Sequence, residues 1–464
     1  MNSFNKLEAF GNRTAVYVEQ PYTYIEMVEI ADAICAAAGE RTLVFCLCSN
    51  NKESLFGYVG FLRGDVVPVL LDASIQTDRL NKLIDLYQPA YIWASSDHQD
   101  LSETMDRSYV FGDYTLYQSP TLYQHELDEE LALLLTTSGS TGSPKFVRLS
   151  YENIFRNAES IATYLDIKED DKPITTLPMN YSYGLSIINS HLISGATIIV
   201  TDASILKKEF WDLCKEQQAT TFGGVPFVYE MLDRLKFETF DLPSLKTLTQ
   251  AGGKLNDDLS AKFAEVCHQK GIRFVTMYGQ TEATARMSYL PHERNPDKAG
   301  SIGIAIPGGE LMLQDDKGGQ ITAPHVIGEL IYKGPNVSLG YAESAADLAK
   351  KDENRGLLRT GDLAYVDQDG YFFITGRLKR IIKIAGNRIS LDELEGLLQE
   401  HGHECVCAGS DDQLCIYTLQ DDRVQIKKLI KEKLNLKGFV ITQIEEIPRN
   451  PYGKIRYSEL PECQ

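Results

Sequence analysis

A loop rich in glycine and hydroxyl residues is the part of the sequence best suited to chemistry. It comprises Thr137, Ser138, Gly139, Ser140, Thr141 and Gly142, and Lys145 follows it. Glycine lets backbone N–H groups approach an anion closely, hydroxyls add donors, and the lysine adds a positive charge. Apolar runs at 131–135 and 146–149 flank the loop and favour buried strands over a flexible linker. The loop therefore predicts a polyphosphate ligand, first of all a nucleotide, although its spacing is not that of a P-loop.

Two further polar turns carry side chains that could bind a ligand. The first contains Tyr278, Gly279, Gln280, Thr281 and Glu282, directly after an apolar strand at 273–276. Polar side chains beyond the end of a strand are suited to ligand binding at the edge of a sheet. The second turn contains Asp362, whose carboxylate can accept hydrogen bonds from two ribose hydroxyls. Each turn taken alone also fits an ordinary solvated turn.

The C-terminal part of the chain has two basic segments. Residues 376–386 include Arg377 and Lys379, a pattern that also fits a basic strand at a sheet edge. The segment from Pro448 to Lys454 contains two prolines and a glycine, which present the lysine on a loop rather than in a helix. Taken alone, Lys454 also fits an exposed tail lysine.

These motifs resemble those of the adenylate-forming enzymes, which include acyl- and aryl-CoA synthetases, peptide-synthetase adenylation domains and beetle luciferases. Three weaker matches lie in the family's order at 177–185, 251–253 and 300–307. The resemblance spans nearly the whole chain and is closest to the acyl- and aryl-CoA ligases. A chance match to one motif is easy, but a chance match to all of them in order is not credible.

The resemblance implies a role for each matching residue. Lys145, Glu282 and Lys454 would be catalytic, and Glu282 would hold Mg2+, a hard cation that favours carboxylate oxygen. The nucleotide would be bound by Thr137, Ser138, Gly139, Ser140, Thr141, Gly142, Lys145, Gly252, Tyr278, Gly279, Gln280, Thr281, Asp362, Arg377 and Lys454. The substrate pocket would include Tyr181, Ser182, Gly184 and Gly253. Lys379 would be the hinge between two domains, and Gly386 would lie on the side that admits the thiol.

The implied reaction is the ATP-dependent activation of a carboxylic acid to an acyl-AMP, with release of pyrophosphate. The acyl group then passes to the thiol of CoA or of a carrier-protein phosphopantetheine, and nothing in the sequence separates these two acceptors. In the family the small domain swings between the half-reactions, a form of conformational gating.

The pocket segment disfavours an α-amino acid as the substrate. Gly184 falls at about the place where amino-acid adenylation domains carry an aspartate that pairs with the ammonium group. A neutral acyl or aryl acid is therefore preferred, although Tyr181 stands where CoA ligases often carry a histidine. The alternatives are amino-acid loading onto a carrier protein, luciferase-type oxidation of the acyl-AMP, and a nucleotide-binding regulator without turnover.

The alternation of apolar strands and helical segments predicts an α/β fold. Strands at 42–47, 66–71, 91–94, 197–200, 247–249 and 273–276 alternate with helices such as 53–62, 78–86 and 259–269. We expect a large N-terminal domain, residues 1–378, with mainly parallel sheets covered by helices and a small β-rich section. A small mobile α+β domain, residues 379–464, would follow and carry the catalytic lysine.

Composition excludes some classes of function. The net charge of −19 argues against nucleic-acid binding and anionic membranes, and no apolar run is long enough to span a bilayer. The nine cysteines fit reduced thiols better than a disulfide framework, and the N-terminus has no signal pattern, so we expect a cytoplasmic protein. His401 to Cys407 contains zinc-ligand types, but its tight spacing favours a structural role.

Overall fold

Continuous apolar runs in the N-terminal part form fully buried strands, as expected for parallel sheets covered on both faces. The structure is a computed structural model that describes residues 3–121, 125–136, 145–384, 387–434, 438–449 and 455–462. The chain divides into two compact units, of which the first comprises 1–310 and 333–358 and the second comprises 311–332 and 359–464.

The strands, in chain order, are β1 Thr14–Tyr17, β2 Pro21–Thr23, β3 Leu43–Cys48, β4 Val67–Asp72, β5 Tyr91–Ser95, β6 Asp106–Phe111, β7 Tyr114–Gln118, β8 Leu131–Thr136, β9 Phe146–Ser150, β10 Ile198–Ile199, β11 Thr221–Gly224, β12 Thr247–Gln250, β13 Arg273–Tyr278, β14 Ser288–Tyr289, β15 Ile304–Ala305, β16 Glu310–Gln314, β17 Gln320–Ile321, β18 Gly328–Lys333, β19 Gly340–Ala342, β20 Leu357–Val366, β21 Phe372–Arg377, β22 Ile381–Ile384, β23 Asn387–Ser390, β24 Cys405–Ser410, β25 Gln413–Thr418 and β26 Phe439–Gln443. The α-helices are α1 Tyr24–Ala38, α2 Lys52–Arg63, α3 Thr77–Tyr87, α4 Gln99–Thr104, α5 Tyr151–Tyr164, α6 Ser182–Leu192, α7 Lys208–Glu216, α8 Pro226–Arg234, α9 Asp257–Gln269, α10 Leu391–Glu400 and α11 Arg423–Leu434. None of these helices combines the length and apolar character needed to cross a membrane.

The first unit is built on two large sheets. One has the strand order β19-β9-β8-β4-β3-β5-β7-β6, in which β8, β4, β3 and β5 are parallel. The other has the order β11-β12-β13-β14-β15, with β11 to β13 parallel. Helices pack on these sheets around buried apolar clusters, so the predicted α/β architecture is confirmed. The bounds of most predicted strands differ from the observed bounds by one or two residues. The run at 197–200 forms only the two-residue strand β10.

The second unit contains the β-rich section and the α+β segment. The strands β17-β16-β18-β20-β21 form one sheet, β22 pairs with β23, and β24-β25-β26 form a third sheet. Helices α10 and α11 share a core with these last strands. Strand β21 and nearly all of β20 belong to the second unit together with the C-terminal segment. The predicted boundary at 378/379 stays a prediction.

Within the described residues, one cysteine departs from the expectation of reduced thiols. Cys415 on β25 is disulfide-bonded, whereas Cys407 on the neighbouring β24 is free and buried. The other free thiols within the described residues are Cys35, Cys46, Cys48, Cys214, Cys267 and Cys405. The preference for a structural role of the 401–407 segment agrees with its contacts, since His403 pairs with Asp422.

Candidate active site

Lys145 and Glu282 contact the same tyrosine in the first unit. The Nζ atom of Lys145, just before β9, lies 4.0 Å from the centroid of the Tyr341 ring. The Tyr341 hydroxyl donates a hydrogen bond of 2.7 Å to Oε1 of Glu282. Burial, followed by the nearby Glu282 charge, raises the pKa of Tyr341, so the hydroxyl stays protonated and remains a donor. Tyr341 therefore links the Lys145 cation to the Glu282 carboxylate, although these two residues lie far apart in the sequence.

A buried arginine holds Tyr341 in this position. Tyr341 lies on β19, which pairs with β9 so that Tyr341 is opposite Val147. Arg148, fully buried on β9, donates from Nε to the Tyr341 carbonyl at 3.1 Å and from Nη2 to the Leu339 carbonyl at 3.0 Å. Glu353 completes the arrangement with an ion pair of 2.6 Å to Arg148. The guanidinium thus ties β19 to the strand that follows the glycine-rich loop.

The turn that carries Glu282 has an unusual backbone. At Gly279, directly after β13, an added Cβ would lie 1.7 Å from the Ala285 carbonyl oxygen, so the turn requires glycine. Thr284 has φ of 65°, a conformation that is strained for a β-branched residue. Strained residues persist where their surroundings fix them, and they cluster at functional sites.

A neighbouring loop, residues 334–339, fixes this turn. The Asn336 side chain donates to the carbonyls of Ala283 at 2.9 Å and Arg286 at 3.0 Å. The backbone N–H of Ser338 donates to the Glu282 carbonyl at 2.9 Å. Since Asn336 is almost completely buried, the loop and the turn form one rigid element.

The start of α5 anchors the 334–339 loop in turn. Ser150 and Asn153 form a reciprocal capping box at this helix N-terminus. The Asn153 amide nitrogen also donates to the carbonyls of Pro335 at 2.7 Å and Val337 at 2.8 Å. One cap residue therefore couples the helix after β9 to the loop that holds the Glu282 turn.

Predicted pocket residues from α6 meet the same turn. The Ser182 and Thr281 hydroxyl oxygens lie 3.2 Å apart. An added Cβ at Gly252, whose φ is 85°, would lie 2.6 Å from the Tyr181 hydroxyl oxygen. Burial raises the pKa of Tyr181 to about 12, so its hydroxyl is neutral. The structure thus brings Tyr181, Ser182, Gly252 and Thr281 together.

The other predicted residues of the first unit have mainly local contacts. Gln280 donates to the Tyr278 hydroxyl over 3.4 Å. An added Cβ at Gly184 would lie 2.3 Å from the Pro178 carbonyl oxygen, so this position packs against backbone. Gly253 accepts a hydrogen bond of 2.9 Å from Gln250.

Asp362 and Arg377 are paired in the second unit. They face each other in the β20–β21 register, and Arg377 Nε lies 3.0 Å from Asp362 Oδ1. The Asp362 side chain is 4% exposed and that of Arg377 is 65% exposed. Lys379 lies exposed in a single 3-10 turn, 378–380, between β21 and β22.

Eight predicted residues lie outside the described residues. They are Thr137, Ser138, Gly139, Ser140, Thr141, Gly142, Gly386 and Lys454. On either side of the segment that contains Lys454, Arg449 and Ile455 form an antiparallel bridge, and the Arg456 N–H donates to the Pro448 carbonyl at 2.8 Å.

The oxygen donors around Glu282 fit Mg2+, which needs few protein ligands, better than a metal that is coordinated entirely by side chains. Within the described residues there is no cluster of three or more His, Cys, Asp or Glu that could hold a metal ion. Mg2+ typically binds through one or two carboxylates, water and substrate phosphates, so a single Glu beside the Thr281 hydroxyl is compatible with it.

Comparison with known proteins decides the family. The profile described as AMP-binding enzyme matches residues 4–342. This chain belongs to that family. The match confirms the predicted membership of the adenylate-forming superfamily.

Relatives within the family are CoA ligases. A medium-chain fatty-acid–CoA ligase of Escherichia coli is 30% identical over 445 residues, covering 90% of this chain and 74% of that protein. A 2-succinylbenzoate–CoA ligase of Bacillus cereus is 27% identical over 492 residues, covering 97% and 95%. The solved O-succinylbenzoate CoA synthetase of Bacillus subtilis with AMP has a TM-score of 0.80 at 22% identity, covering 100% and 98%, and shows the same fold. The same synthetase has been solved with its acyl-adenylate and with ATP and magnesium. The predicted class, an AMP-forming acid–thiol ligase, is confirmed.

Sequence reasoning missed the residues that support the Glu282 turn and its contact with Lys145. Tyr341 and Asn336 lie in short segments without a recognisable pattern, and Arg148 lies inside an apolar strand that does not indicate its partners. Only the contacts of these residues reveal them. For Asn153 a signal was present, because Ser150 followed three residues later by Asn is a helix-capping pattern.

Proposed function

We propose that this chain activates a small carboxylic acid with ATP and Mg2+ and then transfers the acyl group to a thiol, that of CoA in the first place. The observation that carries the proposal is the contact of Lys145 and Glu282 with Tyr341. It supports a site in which a cation and a carboxylate act on the same triphosphate. The neighbouring hydroxyls of Ser182 and Thr281 support a polar surface that could hydrogen-bond the reacting groups.

The residues would act mainly by positioning and by stabilising charge. A carboxylate oxygen of the acid attacks the α-phosphorus of ATP, and the bond from that phosphorus to the pyrophosphate oxygen breaks. Since both reactants are anions, Lys145 and Lys454 would offset their repulsion. Glu282 would hold Mg2+, which supplies charge neutralisation at the phosphates when bound. The product carries AMP as a leaving group, so a thiol can displace it.

Asp362 and Arg377 are proposed to contact the nucleotide. The buried Asp362 carboxylate is the proposed ribose acceptor, and the mostly exposed Arg377 is the proposed partner of the ribose or phosphate. Lys379 as the hinge, Gly386 on the thiol side and a domain boundary at 378/379 belong to the same proposal. We also propose a cytoplasmic location, which the free thiols of the first unit support.

Pyrophosphate release tests this function. Purified enzyme with ATP and Mg2+ is screened against aliphatic, aromatic and hydroxy acids, first without a thiol and then with CoA or a phosphopantetheinylated carrier protein. We expect acid-dependent pyrophosphate release, followed by AMP release and thioester formation when the correct thiol is added. ATP binding without any acid-dependent pyrophosphate would instead support a regulator without turnover.

A further inference from the structure

Arg286 is a buried cation without an anionic partner in the described part of the chain. It lies between the Glu282 turn and β14 and is 3% exposed. Its Nε atom is buried and has no hydrogen-bond acceptor. Because arginine stays protonated in proteins, the site holds a full positive charge. Burying an unpaired charge is costly, so this residue calls for an explanation.

Tyrosines contact the guanidinium but do not neutralise it, and the hydroxyls of Tyr164 and Tyr183 are hydrogen-bond partners of Arg286. Its Cζ atom lies 3.6 Å from the centroid of the Tyr183 ring. Its charge opposes the effect of burial on the pKa values of Tyr164, Tyr181 and Tyr183, which are nevertheless all raised. The tyrosines are therefore neutral, and a cation–π contact offsets only part of the desolvation cost.

The charge is held beside the segments proposed to bind the acid. The Arg286 carbonyl accepts hydrogen bonds from Asn157 and Asn336, both at 3.0 Å, which fixes the backbone. The ring of Tyr183 lies 6.3 Å from that of Tyr181, whose hydroxyl reaches Gly252. Arg286 therefore contacts α6 through Tyr183, and the Tyr183 ring in turn lies beside that of Tyr181, a residue of the proposed pocket.

We propose that Arg286 selects acids that carry a second anionic group, remote from the carboxylate that is activated. This inference rests on the proposed function. It replaces the expectation, based on Gly184, that the substrate is a neutral acid. A planar guanidinium binds a carboxylate through two parallel hydrogen bonds, which would satisfy the buried nitrogen and the charge together. A neutral acid would leave the cation unpaired, so a dicarboxylate is the class that the site favours.

Matched acids test the proposal. Dicarboxylates of increasing length are compared with their monomethyl esters, using kcat/KM for pyrophosphate release. We expect the wild type to prefer the best diacid over its half ester by about 10- to 100-fold, the range for hydrogen bonds to charged groups. Arg286→Met should lose this preference, and Arg286→Lys should keep part of it. The ratio of the two acids within one variant cancels any general loss of activity.

Tyr183→Phe serves as the matched control. It keeps the ring under the guanidinium and removes the hydroxyl, which lies 2.7 Å from the Thr249 carbonyl oxygen and 2.9 Å from Thr249 Oγ1 and also interacts with Arg286. Because Arg286 keeps its charge in this variant, the preference for diacids should be retained. A wild type that turns over half esters as well as diacids would overturn the inference, as would a retained preference in Arg286→Met. If Arg286→Met does not fold, the wild-type ratio and Arg286→Lys still decide. Failure of every acid to release pyrophosphate would count against the proposed function itself.

Discussion

At the scale of single residues, Tyr341 is the main addition that the structure makes to the sequence. Lys145 and Glu282 are each recognisable from their motifs, but neither motif indicates what lies between them. A neutral hydroxyl that donates to Glu282 restrains the carboxylate without cancelling its charge. Partners that orient a metal-binding carboxylate in this way commonly affect metal affinity by 10- to 100-fold.

Tyr341→Phe tests this restraint. The variant keeps the ring beside Lys145 and removes the hydrogen bond to Glu282. We expect the Mg2+ concentration for half-maximal pyrophosphate release to rise by about tenfold, because the carboxylate loses its orienting donor. Tyr341→Leu, which also removes the ring, should additionally raise the KM for ATP. An unchanged Mg2+ dependence in Tyr341→Phe would mean that the hydroxyl does not support a metal ligand.

The residues that could be predicted from the sequence are those with a local signal. Gly279 and Gly252 stand out because glycine after a strand marks a turn, and Lys145 stands out beside hydroxyls and glycines. Arg148 and Arg286 could not be found in this way, because an arginine inside an apolar segment gives no indication of its partners. Arg148 contacts Leu339, 191 residues away in sequence, and only the folded sheet brings them together.

At the scale of elements, strands of the parallel sheets were predictable, but the supporting loop was not. Apolar runs such as β3 and β4 are buried on both faces and need no long-range information to be recognised. The 334–339 loop has no periodicity, and its order comes from hydrogen bonds to the Glu282 turn and to the cap of α5. Its role therefore depends on pairing between distant segments.

Asn336→Ala tests whether this loop positions the turn. The substitution removes one hydrogen bond from each of the Ala283 and Arg286 carbonyls. The cost is about 0.5–1.5 kcal/mol each, because the Ala285 N–H and the Asn157 amide still donate to them. We expect a lower melting temperature and a fall in kcat for pyrophosphate release that exceeds any change in KM for the acid. Asn354→Ala removes hydrogen bonds to the Ser338 carbonyl and hydroxyl in the same loop, but none to a residue of the turn itself. Equal losses of kcat in the two variants would argue against a specific role for Asn336.

At the scale of the whole molecule, a buried histidine links the stability of the first unit to pH. His191 on α6 donates from Nδ1 to the Ile187 carbonyl at 2.8 Å. Burial lowers its pKa from 6.5 to about 4. The unfolded chain therefore binds a proton between these values that the folded chain does not, and stability falls as the pH drops from 6.5 to 4.

His191→Gln should reduce this dependence on pH. The wild type should lose roughly 1.4 kcal/mol of stability per pH unit within the interval through this residue, whereas glutamine does not titrate. Melting temperatures measured between pH 7 and pH 4.5 should therefore fall less steeply in the variant. His268→Gln, at an exposed position on α9, is the control and should follow the wild type. Parallel curves for wild type and His191→Gln would contradict the assignment.

The proposed reaction consists of two chemically different steps that the same enzyme carries out. Forming the acyl-AMP needs positive charge beside two anions, whereas attack by a thiol on the acyl-AMP does not. Lys454→Ala should therefore reduce acid-dependent pyrophosphate release by at least about 100-fold, as expected when a transition-state charge partner is lost, and leave thioester formation from supplied acyl-AMP within a few-fold of wild type. Lys428→Ala, which removes an exposed lysine on α11, should leave both steps unchanged. Retained adenylation in Lys454→Ala would reject the role of this lysine, and an equal loss of both steps would show that it does not separate the two half-reactions.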